Sequence, residues 1–108
     1  MQMSNQNPGA RRDPLLKPLT IKKLTLRNRI MSTAHACGLQ KDGFPQDAYQ
    51  AYHEEKAKGG IALSMFGGSS NVDIDSPNIF QQLNVGVDEI IPHLQRFSER
   101  MHAHGAAL

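Results

Sequence analysis

The chain has 108 residues, a formal net charge of +2 and 39% hydrophobic residues, room for one domain at most. Its basic residues are scattered rather than striped, which argues against a nucleic-acid platform, and no apolar run approaches the roughly 20 residues of a membrane span. A single cysteine excludes an internal disulfide framework and an all-cysteine metal site, and residues 1–9 lack the apolar core of a secretory signal, so a soluble cytoplasmic protein is expected.

Residues 1–14, rich in Gln, Asn, Pro, Gly and charge, read as a disordered tail. Arg11-Arg12 within it reads as solvated. From Leu15, apolar and polar residues alternate through Leu19, Ile21, Leu24 and Leu26 with a break at Lys22-Lys23. That pattern predicts two short antiparallel strands and a turn. A buried strand is expected over 28–33, and Gln40-Lys41-Asp42-Gly43-Phe44-Pro45 is turn chemistry.

The first helix is predicted over 45–58, with Pro45 early and Gly59-Gly60 past its end. Ala48, Tyr49, Ala51, Tyr52 and Ala57 would form its packing face, with Glu54, Glu55, Lys56 and Lys58 in water. Residues 61–66 are an apolar run of strand length. Residues 67–86 read as a long loop, a kind that is uncommon unless it carries function or is disordered. Asp88 is the expected cap of a second helix, with Pro92 in its first turn and Ile91, Leu94, Phe97, Ser98 and Met101 on one face. Gly105 stops it, and 106–108 begin another apolar run.

The order is therefore hairpin, strand, helix, strand, helix, start of strand. Such alternation predicts an α/β fold with a parallel sheet, of which these residues are one part. In such sheets, loops leaving the carboxyl ends of neighbouring strands share a mouth where ligands bind. Two exits here are built of small residues: 33–38, Thr33-Ala34-His35-Ala36-Cys37-Gly38, and 67–71, Gly67-Gly68-Ser69-Ser70-Asn71. Both would let backbone approach a flat ligand closely.

At these residues the chain resembles the Old Yellow Enzyme, or NADH:flavin oxidoreductase, family. The likeness runs from Pro18-Leu19 through Leu24-Thr25-Leu26-Arg27-Asn28-Arg29-Ile30, Asp42-Gly43, Glu55-Lys56-Ala57-Lys58-Gly59-Gly60 and Ala62-Leu63 to His104-Gly105. It covers residues 15–108 and is greatest for the long branch holding trimethylamine dehydrogenase, 2,4-dienoyl-CoA reductase and the N-methylproline demethylases. The resemblance implies the N-terminal part of a (β/α)8 TIM barrel: N-terminal hairpin, strand 1, helix 1, strand 2, helix 2 and the start of strand 3.

It implies FMN as cofactor, with Thr33, Ala34, His35, Ala36 and Gly67 at the flavin. The longer relatives imply an iron–sulfur cluster, FAD and NAD(P)H elsewhere in the parent. The expected substrate is a small N-methylated amine or an activated alkene, with neither nucleic acid nor membrane as partner, and a homo-oligomer is an option for the parent. The family's catalytic residues fall beyond Leu108, so no catalytic residue and no metal ligand are expected within these residues. The 108 residues taken alone would then be an inert fragment, unable to hold flavin. In trimethylamine dehydrogenase the cysteine bonded to the flavin falls opposite Ala36, one position before Cys37. Such a slip reverses the side chain in extended backbone, so the FMN is expected to be non-covalent.

Other side chains have plainer readings. His35 fits a flavin or substrate contact and a loop-shaping role equally well. Cys37 reads as a small filler rather than a redox thiol. His102 and His104 read as charges at a helix C-terminus rather than metal ligands, and His53 and His93 as helix-surface residues. Tyr49 and Tyr52 read as packing, and Met65 and Phe66 as strand core, with Phe66 near the mouth. Gly59-Gly60 and Gly67-Gly68 do not fit a phosphate-cradling Gly-x-Gly-x-x-Gly pattern.

Overall fold

The computed structural model describes residues 13–73, 75–76 and 81–108. Most of the expected tail lies outside these residues; Asp13 accepts a hydrogen bond from the Leu15 amide and so caps a 3₁₀ turn over Pro14–Leu16. Strands β1 (Leu19–Ile21) and β2 (Leu24–Leu26) pair antiparallel around Lys22-Lys23, as the alternation predicts. Thr20 and Thr25 lie opposite one another with hydroxyls 3.0 Å apart.

Strand β3 (Met31–Ser32) pairs in parallel with β4 (Leu63–Ser64). Ala107 bridges in parallel to Leu63 on the far side, with Ser64 N–H donating to Ala107 O at 2.9 Å and Ala107 N–H to Ala62 O at 2.8 Å. The parallel order is thus β3, β4, then the segment at 106–108, and the fold is mixed α/β.

Both parallel strands are shorter than their apolar runs predict. The reason at β3 is Asn28, whose buried amide donates to Gly60 O at 2.7 Å while its Oδ1 accepts the Ile30 amide. That side-chain bridge takes the place of ladder bonds in a non-strand conformation.

Helix α1 (Asp47–Lys58) begins two residues later than expected and ends at Gly59. Its buried residues are Tyr49, Gln50, His53 and Ala57, which corrects the expected packing face. Helix α2 (Ile91–Ala103) follows a 3₁₀ turn over Asp88–Ile90, so Asp88 lies inside that turn and makes no side-chain cap. Pro92 sits in the first turn of α2, where a missing N–H is harmless. Phe97 and Met101 are the buried members of its expected face, while Ile91 is exposed.

The core gathers Tyr49, Ala57, Leu83, Phe97, Met101 and Ala106 between the helices and the sheet. Leu83 comes from the long loop, which is pinned back by Asn71 N–H to Leu83 O and Asn84 N–H to Gly43 O, each 2.8 Å. Glu54, expected in water, is instead the joint between the helices. Arg100 clasps its Oε1 through Nε and Nη2 at 3.2 and 2.8 Å, and His104 Nε2 meets Oε2 at 3.0 Å. The Arg100 hydrogen bonds hold the Glu54 carboxyl below its usual range. Among the described residues no helix is long and apolar enough to cross a membrane.

Arg27 closes the opposite end of the strands. Its guanidinium donates to Ala57 O at 2.8 Å, Ile61 O at 2.8 and 3.2 Å, and His104 O at 2.6 Å, tying the end of α1, the approach to β4 and the end of α2 to one side chain.

Candidate functional site

Because β3 and β4 are parallel and adjacent, the segments leaving them emerge at the same end of the sheet. They touch. Gly68 lies so close to the other exit that a Cβ on it would stand 2.6 Å from His35 C, 2.7 Å from Ala36 N and 2.8 Å from His35 Cα. Gly68 also has φ +69°, so glycine is required there on two counts.

The expected site residues fall as follows. Thr33, Ala34 and Ala36 are exposed, His35 is half-buried and Gly67 is buried. Among the described residues, the amides of 33, 34, 35 and 36 enter no hydrogen bond. The small side chains of Ala34 and Ala36, exposed beside the Gly67-Gly68 pair, leave backbone within reach of a planar group. Exposed backbone flanked by small side chains is compatible with a flat ring such as the isoalloxazine of FMN.

The His35 ring turns back onto α1. Its Nδ1 lies 3.3 Å from Thr33 O and its Nε2 lies 2.8 Å from Tyr52 Oη. A carbonyl can only accept, so Nδ1 carries the proton and Nε2 accepts from the Tyr52 hydroxyl. What His35 offers the mouth is backbone. Tyr49 acts on the other exit, its buried hydroxyl accepting the Gly67 N–H at 3.0 Å. Lys56, also expected in water, donates to Ser32 Oγ at 3.1 Å and lies 4.7 Å from the Tyr52 ring centroid.

Beneath these groups sits His53, a residue expected on the surface and found fully buried. Its ring packs against His35, Tyr49, Tyr52 and Phe97 with centroids 5.1–5.9 Å apart. Nδ1 faces Ser64 Oγ at 3.5 Å, and Nε2 has no partner among the described residues. Burial, reinforced by the charge of Lys56, lowers its pKa from 6.5 to about 4. The unfolded chain therefore binds the extra proton between pH 6.5 and 4. Stability should fall as pH drops through that window, by about 3 kcal/mol in full, and then level off. Urea midpoints measured from pH 7 to 4 check this, and a His53→Phe variant should lose this part of the slope.

His93 stacks on Phe44, rings 5.1 Å apart, rather than lying free on the helix surface. Of the His102 and His104 pair, His102 is exposed in the last turn of α2, and His104, at its C-cap, also meets Glu54. Cys37 is half-buried and packs against the core cluster. Gln50, unremarked in the sequence, is fully buried and donates to Pro45 O at 2.7 Å. A shallow, solvent-open hollow on α2 is lined by Ile91, Leu94, Gln95, Ser98 and Glu99.

Comparison with known proteins bears on what such a mouth holds. The model of the NADH:flavin oxidoreductase / NADH oxidase family matches residues 14–108. The chain is 67% identical over 96 residues to the multifunctional alkene reductase/demethylase OYE of Caballeronia cordobensis. It is 47% identical over 98 residues to the N,N-dimethylglycine/sarcosine dehydrogenase of Chromohalobacter salexigens. It is 45% identical over 96 residues to the probable N-methylproline demethylase of Rhizobium meliloti. Each match covers 89% of this chain, and the chain spans about 14% of the length of these relatives.

Proposed function

Because the chain belongs to the NADH:flavin oxidoreductase / NADH oxidase family, we propose that it builds one wall of an FMN site in a protein of its relatives' length. The wall is the first part of a TIM barrel, and the whole protein oxidises a small N-methylated amine or reduces an activated alkene. The observation that carries this is the contact at Gly68, which holds two small-residue exits side by side on adjacent parallel strands. Bound FMN supplies the hydride chemistry.

The residues of this chain do the holding. Thr33, Ala34, His35 and Ala36 lay backbone along the ring, and Gly67 lets the second exit reach the flavin edge. Small side chains at Ala34 and Ala36 leave room for the ring face, and the backbone donors need no rearrangement on binding. An iron–sulfur cluster, FAD and an NAD(P)H site belong to other parts of such a protein.

FMN is held without a covalent bond. Cys37 supports this, since its half-buried side chain packs against the core cluster. The full-length protein should purify yellow and release all its FMN to the supernatant on acid denaturation. A colourless protein that takes up no FMN would overturn the flavin assignment. Flavin that stays with the precipitated chain would overturn the non-covalent one.

A further inference from the structure

Tyr49 and Tyr52 stand three residues apart on α1, and each hydroxyl ends on a different strand exit: Tyr49 on the Gly67 amide at 3.0 Å, Tyr52 on His35 Nε2 at 2.8 Å. We propose that α1 is a two-point clamp on the mouth, with Tyr49 and Tyr52 as positioning residues that set where the two exits meet the flavin. The clamp deepens the FMN reading and rests on it for its flavin-dependent half.

The geometry favours a clamp over simple packing. Either ring could fill its place as phenylalanine, yet both hydroxyls are spent on the exits and none on the helix's own backbone. The Gly67 contact is fully buried, so losing its acceptor strands a backbone donor away from water. Tyr52 is 37% exposed, but its hydroxyl is directed by the fixed tautomer of His35. Between the two tyrosines the buried His53 ring keeps both in place, 5.1 Å from each. Each hydroxyl is spent on a loop group, His35 Nε2 or the Gly67 amide, so each tyrosine acts through the loop it holds.

The test uses Tyr49→Phe, Tyr52→Phe and the double variant in the full-length protein. In the apoprotein, hydrogen exchange at the Gly67 amide should quicken about tenfold or more in Tyr49→Phe and stay unchanged in Tyr52→Phe. Each single variant should weaken FMN binding about 3–10-fold, and the double variant should weaken it more than either single variant. At saturating FMN the visible flavin spectrum and midpoint potential should also shift, a change that a purely structural loss of stability would not produce. Gly67 exchange that stays slow in Tyr49→Phe overturns the clamp. So do FMN affinities within twofold of the parent together with an unaltered spectrum. Should the parent itself take up no FMN, the flavin reading fails, and the Gly67 exchange result alone decides the clamp.

Discussion

Replacing Arg27 by Ala should be the most destabilising single change in this part of the protein. One guanidinium satisfies the carbonyls of Ala57, Ile61 and His104 from three separate segments. Each charge-assisted bond contributes about 1.5–3 kcal/mol. Although Ala57 O keeps the Gly60 N–H at 3.0 Å, the Ile61 and His104 carbonyls lose the guanidinium donor that reaches them. The contributions are not additive, because the segments relax together. A loss of about 3–5 kcal/mol is nonetheless expected, a large share of the roughly 5–15 kcal/mol that holds a domain folded. Lysine is no substitute: a point charge on a flexible stem cannot span three carbonyls in the plane of a fork, so Arg27→Lys should recover less than half of the loss.

Gly105 adds a second reason. A Cβ there would stand 3.0 Å from Arg27 Nη1, so the end of α2 has closed down on the guanidinium. Thermal unfolding of the parent and both variants measures the effect. An Arg27→Ala protein that melts with the parent would show that the three segments are held by something else.

The local pattern of the sequence reached the elements that depend on near neighbours. The hairpin around Lys22-Lys23, the turn where Asp42 and Gly43 take positive φ, and both helices with their glycine stops are encoded within a few residues of themselves. The parallel partnership of β3 with β4 followed from alternation of element types. Features that depend on distant partners were hidden. His53 reads as polar on a helical wheel and is buried because four rings from α1, α2 and the first exit close around it.

Glu54 likewise looks solvent-facing until Arg100, 46 residues away, reaches back to it. The length of β3 was overstated because Asn28 satisfies its neighbourhood through its side chain, which no hydrophobic pattern records. At the mouth, the small-residue exits were visible as composition. The tyrosines that hold them were not, since a hydroxyl hydrogen bond to a loop leaves no periodic trace.

Replacing Gly68 by Ala should damage the site more than any other change to the exits. Two effects combine. An L-residue at φ +69° is strained by about 1–2 kcal/mol, and the added methyl would lie 2.6–2.8 Å from the backbone of His35 and Ala36. Backbone cannot rotate aside as a side-chain tip can, so the exits must separate by several tenths of an ångström. Donors fixed for a rigid ring lose their aim under such a shift. Gly38 supplies the contrast: its φ is +74°, yet nothing lies within 4 Å of its virtual Cβ. Gly38→Ala carries the backbone strain without the collision and should have the smaller effect on flavin.

The decisive measurement is an FMN titration of the full-length apoprotein, parent against Gly68→Ala, with Gly38→Ala alongside. A dissociation constant raised about 30–100-fold by Gly68→Ala, corresponding to about 2–3 kcal/mol, is the result expected if the touching exits hold the ring. Equal FMN affinity in the parent and Gly68→Ala proteins would mean that the flavin, if it binds, lies elsewhere.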